Sequence, residues 1–224
     1  MLSVIIPTLN AARTLEKTIL SLNEGSELVS EIIISDGGST DQTVTLAKEF
    51  NARLITGARG RGPQLQVGAK AATGNWLLFL HADTRLSAGW SETVKAFMKV
   101  PENAFRAGVF RFRLDDDVPA ARRMERFVNW RTKKLGLPYG DQALLIKRDL
   151  YTDVGGYHPM PLMEDVDIIR RVGRQRLVCL EADAETSAAK FRVGGYILRP
   201  LRNLMCLGLY FMGVPVRLIA RIYR

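Results

Sequence analysis

Short apolar runs alternate with segments of helical periodicity through the first hundred residues, and no other feature restricts the fold as much. Residues 2–7 read as a strand and 11–22 as a helix, with Leu15, Ile19 and Leu22 on one face and Asn10 placed to cap it. A strand at 31–35, a helix at 40–50 and a short strand at 53–56 follow. Gly62-Pro63 then opens a helix carrying Leu65 and Ala69, and a strand follows at 76–80. Strands separated by helices of this length are joined by right-handed crossovers, which gives a mainly parallel sheet. The run Trp76-Leu77-Leu78-Phe79-Leu80 has no polar position, so this strand is expected to be buried on both faces. Ligands of open parallel sheets bind beyond the carboxyl ends of the strands, where His81-Ala82-Asp83 would lie.

The second half is less regular. A helix at 90–100 leads to Val109-Phe110-Arg111-Phe112-Arg113-Leu114, whose strict alternation marks a half-buried strand of a mixed sheet. Residues 120–135 form a basic helix with Met124, Phe127 and Val128 on one face; 142–146 and 176–180 read as strands and 164–173 as a helix. No Pro/Gly/Ser linker divides the halves. The expectation is an α/β protein with a mixed, mainly parallel sheet flanked by helices.

Residues 203–216 carry no charge, but fourteen residues are fewer than the ~20 a spanning helix needs, and Gly213 and Pro215 interrupt them. Arg199, Arg202, Arg217, Arg221 and Arg224 flank this run. Two readings stand open: a segment lying in the interface of an anionic membrane, or a helix packed on the core or on a second subunit. The net charge of +9 is concentrated in this half, with six basic residues between Arg122 and Lys134 and no acid after Glu185. It calls for an anionic partner. The aromatic platforms of a nucleic-acid surface are not interleaved with it, so no nucleic acid is expected. Cys179 and Cys206 sit among apolar neighbours and read as buried thiols, and two histidines cannot build a Cys/His zinc site. Met1 leads straight into a strand without a signal peptide, which places the chain in the cytoplasm, on the inner face of the membrane if the tail meets lipid.

Four short runs carry the chemistry. The first strand ends in Pro7-Thr8-Leu9-Asn10, without the glycines of a dinucleotide turn or a phosphate-binding P-loop. The second ends in Ser35-Asp36-Gly37-Gly38-Ser39, where a carboxylate can accept the ring N–H of a uracil and two glycines keep the approach clear. The third is His81-Ala82-Asp83. The fourth, Met163-Glu164-Asp165-Val166-Asp167, opens a helix with three acids in four residues, so one acid can face a cleft as a general base.

In this order and spacing the four runs resemble the family 2 glycosyltransferases of GT-A fold, over about residues 2–175. The resemblance implies that Pro7 and Asp36 belong to the nucleotide site, that Asp83 binds a divalent metal, Mg²⁺ or Mn²⁺, and the diphosphate, and that Asp165 is the catalytic base. The chain departs from the family's D-x-D motif in having His81 at the first acid, either as a metal ligand or as a hydrogen-bonded structural residue. H-A-D-T together with G-D-Q and M-E-D-V is similar to a small bacterial subgroup. Arg61, at a helix N-terminus, is placed to meet phosphate or ribose, and Asp141, Gln142 and Glu164 to meet the acceptor.

The expected protein is thus a GT-A domain over 1–190, with a nucleotide-sugar half at 1–100 and an acceptor half at 101–190, followed by a basic amphipathic tail at 191–224. It would transfer a sugar from a nucleoside diphosphate, UDP first among them, to an acceptor hydroxyl with inversion, and such a tail suits a lipid-linked acceptor or a homo-oligomer. A nucleotidyltransferase would need a glycine-rich basic loop after the first strand. A silent nucleotide-sugar-binding module is prompted by His81 and opposed by the Glu164-Asp165 pair.

Overall fold

The computed structural model describes residues 1–57, 59–196 and 198–223. Eight strands form one sheet in the order β3-β2-β1-β4-β7-β6-β8-β5. Its first half is parallel: β1 (Leu2–Thr8), β2 (Val29–Asp36), β3 (Arg53–Thr56) and β4 (Trp76–Phe79). The helices between them are α1 (Ala12–Ser21), α2 (Thr43–Glu49) and α3 (Arg61–Ala71). The chain winds outward from β1 through β2 to β3 and then returns to put β4 on β1's other side. A crevice therefore opens beyond the ends of β1 and β4.

The continuous apolar runs of β1 and β4 follow from cover on both faces. Val4, Ile6 and Leu78 face Leu15 and Ile19 of α1 and Trp90, Val94 and Phe97 of α4 (Trp90–Lys99). Ile5, Leu77 and Phe79 face Leu65 and Ala69 of α3 and Ile168, Ile169 and Val172 of a later helix, α7 (Glu164–Val172). Successive residues of a strand point to opposite faces, and here both faces are core.

The mixed half adds β5 (Thr84–Leu86), β6 (Ala107–Leu114), β7 (Leu144–Lys147) and β8 (Leu177–Thr186), with α5 (Pro119–Leu135) and α6 (Arg148–Asp153). β7 runs antiparallel to β4 and β6, while β8 runs parallel to β6 and antiparallel to β5. β8 is ten residues long, twice the expected strand, and its alternating burial lets it carry the chain back to Asp83.

Local expectations change in several places. Asn10 does not cap α1, whose N-cap is Ala11; Asn10 is left-handed (φ 52°) and its Oδ1 accepts from Thr40 N at 2.8 Å, tying the β1 end to the turn after β2. Phe127 is exposed and stacks on Trp130, so the buried face of α5 is Ala121, Val128 and Thr132. Cys179 is exposed; Cys206 is buried, and both are free. After β8 come α8 (Ala189–Gly194), α9 (Leu198–Phe211) and α10 (Val216–Tyr223). Cys206, Leu207 and Ile219 of this tail pack on Leu162, Met163 and Val166, giving the protein a small separate apolar cluster. Arg224, one of the basic residues flanking the tail, lies outside the described residues. No helix among the described residues is long and apolar enough to cross a membrane.

Candidate active site

Pro7 and Asp36 meet where β1 and β2 end: Pro7 pairs with Ser35 and Thr8 with Asp36. The Asp36 carboxylate is buried and fully engaged. Oδ1 accepts from Thr8 Oγ1 at 2.8 Å and from Ser39 Oγ, and Oδ2 accepts from the amides of Gly38 and Ser39 at 2.9 and 2.8 Å. Burial works against its ionisation, but these bonds outweigh it and hold the carboxyl below its usual range. Asp36 therefore shapes the turn and has no oxygen left over to accept from a base. Gln64, in the first turn of α3, donates from Nε2 to Thr8 O at 2.6 Å and Ser35 O at 2.7 Å, joining the two strand ends from below.

At the end of β4, Asp83 lies in the turn before β5. Its Oδ2 accepts from Lys190 Nζ of α8 at 2.9 Å, and its backbone carbonyl accepts from Ser187 N at 2.9 Å. Burial opposes ionisation of Asp83, but Lys190 prevails and the carboxyl is held below its usual range. Burial, reinforced by the Arg61 guanidinium, lowers His81 well below its usual value, which leaves a neutral imidazole at pH 7.

Asp165 enters from the start of α7. The residue before that helix, Met163, is left-handed (φ 63°), and Glu164 follows it into the helix. Asp165 Oδ2 accepts from Gly140 N at 2.8 Å. A Cβ at Gly140 would stand 2.7 Å from His81 Nε2 and 3.3 Å from Asp165 Oδ2, so the backbone of 140 is clasped between these two side chains and any larger residue would have to push the imidazole aside. Asp141 follows, with a buried Oδ1 that has no hydrogen-bond partner among the described residues; burial pushes its carboxyl up to about 6.

Two expected site residues are placed differently. Gln142 is fully buried, accepts from Thr132 Oγ1 at 2.7 Å and donates to Phe110 O at 2.9 Å, so it does not reach the acceptor side. The reason is local: Ala143 is left-handed (φ 52°), which ends the turn Gly140–Gln142 and delays β7 to Leu144. Glu164 is also buried and holds Arg61 Nε at 2.9 Å, so these two are spent on each other. Burial raises the Glu164 carboxyl despite that pairing, and its Oε2 has no partner among the described residues.

His81, Asp83, Asp141 and Asp165 border one cavity of about 140 Å³ together with Arg61. Its outer wall was not legible in the sequence. Lys190 of α8 lines it together with Arg199, Asn203, Leu207 and Tyr223 of the tail. Lys190 gave no signal in the sequence, because it lies four residues past the end of a β8 that was expected to stop at residue 180. Gln64 carried none beyond its place in a first helical turn.

The sequence profile described as glycosyl transferase family 2 matches residues 3–160. The chain belongs to that family. Among curated relatives of this family 2 chain, a PGL/p-HBAD biosynthesis glycosyltransferase of Mycobacterium tuberculosis is 40% identical over 93 residues, 38% of this chain and 36% of the relative. A glucosyl-3-phosphoglycerate synthase of Petrotoga mobilis is 30% identical over 95 residues, 37% of this chain and 29% of that protein. The matches thus span about a third of the relatives' length. Among solved structures, S. aureus TarS 1–349 in complex with UDP-GlcNAc superposes with a TM-score of 0.64 at 17% identity, covering 99% of this chain and 70% of that one. The M. tuberculosis glucosyl-3-phosphoglycerate synthase with Mn²⁺, UDP-glucose and phosphoglyceric acid gives 0.61 at 20% identity, covering 96% and 80%. The family 2 chain shares their GT-A fold.

Proposed function

We propose that this family 2 chain transfers a sugar from a nucleoside diphosphate, UDP in the first instance, to an acceptor hydroxyl with inversion at the anomeric carbon. The observation that carries this reading is the convergence of Asp83, His81 and Asp165 on one cavity, with His81 and Asp165 closing on Gly140. The nucleotide would lie along the ends of β1 and β2, against Pro7 and the turn that Asp36 braces, with its diphosphate toward Asp83. UDP-sugar complexes of TarS and of the mycobacterial synthase support the choice of UDP.

Asp165 would accept the proton of the acceptor hydroxyl as that oxygen bonds to the anomeric carbon and the bond from that carbon to the diphosphate breaks. One displacement on the side opposite the leaving group gives inversion. Gly140 N holds Asp165 Oδ2 in place, so the carboxylate does not have to be ordered when the acceptor arrives. Asp141, with its unpartnered oxygen, would accept from a sugar or acceptor hydroxyl. Arg61 would act through Glu164, fixing the start of α7.

The donor set suits Mg²⁺ or Mn²⁺ in kind: a carboxylate oxygen and a neutral imidazole nitrogen at one cavity, with the diphosphate to supply further oxygens. Among the described residues no group of three or more His, Cys, Asp and Glu side chains is arranged to hold an ion, so Asp83 and His81 would need those substrate oxygens. Such an ion supplies positive charge against the departing diphosphate. Lys190 brings further positive charge to Asp83, and Arg199 lines the same cavity. The domain limits follow the same reading, with residues 1–100 serving the donor, 101–190 the acceptor, and 191–224 closing the site.

Titration calorimetry with UDP, with Mn²⁺ and with EDTA, paired with transfer assays of Asp165→Asn, tests the proposal. The expected result is UDP binding that Asp165→Asn preserves, with transfer reduced by roughly 10²–10⁴-fold. Full transfer by that variant would remove Asp165 as the base, and absence of binding to any nucleoside diphosphate would remove the donor class.

A further inference from the structure

The tail has two unlike sides. Toward the core, Cys206 and Leu207 of α9 and Ile219 of α10 are buried. Outward, Leu198, Leu201, Leu204 and Met205 of α9 are exposed, as are Met212 in the following turn and Leu218 and Ile222 of α10. Of the nineteen large apolar side chains exposed among the described residues, nine lie in 191–224. A soluble surface scatters such residues singly, whereas here they line the outer side of two adjoining helices. Arg217 and Arg221, one turn apart, are exposed on the same side of α10 as Leu218 and Ile222. No carboxylate occurs after Glu185.

We propose that this outer side of the α9–α10 hairpin docks the protein on an anionic lipid bilayer. Apolar side chains bordered by arginine on a helix that lies flat is the arrangement that enters the headgroup boundary while its cations meet lipid phosphates. The turn at Gly213-Val214-Pro215 folds the segment back, so the helices of fourteen and eight residues lie on the membrane and do not cross it. Charge selects the lipid over a second copy of the chain, because a symmetric contact through α10 would set Arg217 and Arg221 against their own kind with no carboxylate in the tail to offset them. Since Asn203, Leu207 and Tyr223 of the same helices line the cavity, the docked face and the cavity wall are two sides of one element. The observations are exposure and charge, independent of the transferase reading, and vesicle binding and UDP binding are measured separately.

The experiment is sedimentation of the 224-residue chain with vesicles of phosphatidylcholine, with and without phosphatidylglycerol. Binding only to the anionic vesicles, weakened by added salt, is expected. Arg217→Gln/Arg221→Gln should bind roughly 25-fold more weakly, about fivefold per cation, and Leu218→Gln/Ile222→Gln should lose binding as well. All four positions are exposed, so unchanged circular dichroism and UDP affinity in both variants would exclude misfolding. No binding to anionic vesicles, or equal binding by both variants, would overturn the proposal. So would self-association that the Leu218→Gln/Ile222→Gln variant abolishes while vesicles are ignored, which would give the face to a second copy.

Discussion

The carboxylates at the two ends of the site are built in opposite ways. Asp36, at the β1–β2 end, has both oxygens saturated by Thr8, Gly38 and Ser39. At the β4–α7 end, Asp141, which lines the cavity, keeps a buried oxygen with no partner among the described residues. Buried polar atoms in native proteins are nearly always paired, so the second arrangement holds unfavourable energy that a ligand can relieve, while the first is complete as folded. One end is a closed frame; the other keeps a carboxylate oxygen free at the cavity.

The largest effect that would break this contrast is at the frame. Asp36→Ala removes a charged acceptor and orphans the donors that converge on it, so it should destabilise the protein by about 3 kcal/mol in urea unfolding at pH 7. Because this carboxyl is held below its usual range, its contribution is present at neutral pH and is lost as pH falls through the folded value. A destabilisation that stays the same down to pH 3 would show that the turn does not depend on the charge.

Gly140→Ala strikes the other end with little disturbance to the frame. The new methyl would stand 2.7 Å from His81 Nε2, so the imidazole must move, and with it the relation between His81 and Asp165. Displacements of about 1 Å can cost ~10²-fold in rate. Transfer should therefore fall by roughly that factor while UDP affinity measured in EDTA changes little; equal losses in both would place Gly140 in the donor site.

Asp141→Asn should have the opposite sign to Asp36→Ala. The folded pKa of about 6 lies above the ordinary 3.8, so Asp141 contributes stability below the lower value and loses it as pH rises through the higher one. Above pH 6 the ionised group is a liability, and the amide should stabilise the protein by about 1–2 kcal/mol at pH 8, with the gain fading toward pH 4. Thermal melts across this range measure it. A destabilised variant at pH 8 would mean that Asp141 is already paired.

The frame was the more legible half, for a physical reason. Parallel strands buried on both faces and the helices between them are set by local periodicity; Asp36 and Asp83 stand out at strand ends, while Pro7 and Asp165 were singled out by the resemblance to family 2. Asp141 and Gln142, neighbours in one motif, show where that logic stops. The left-handed backbone at Ala143 turns Gln142 into the core and leaves Asp141 at the cavity, and an alanine in sequence does not announce a positive φ. The tail was legible as amphipathic and basic but not as a wall of the site. Lys190 meets Asp83 across 107 residues through the unexpected length of β8, and Leu207 and Ile219 had several apolar surfaces on which they could have packed.

Lys190 gives the smallest and most discriminating test, because it links the two halves of the comparison. The ammonium now satisfies Asp83 in the way Ser39 satisfies Asp36, but it is 64% exposed on a short helix, so solvent screens it and it can be displaced. If Asp83 and His81 hold a divalent ion beside the diphosphate, Lys190 competes for the carboxylate and then turns to the phosphates. Lys190→Met should accordingly weaken UDP binding in EDTA by about two- to fivefold, the worth of one screened ion pair. The same variant should tighten Mn²⁺ binding by a similar factor, read by calorimetry without any turnover, because the Asp83 oxygen is released. Opposite signs in the two titrations would establish the exchange. Losses in both would make Lys190 a fixed part of the frame, and Asp83 would then join Asp36 as a carboxylate already complete.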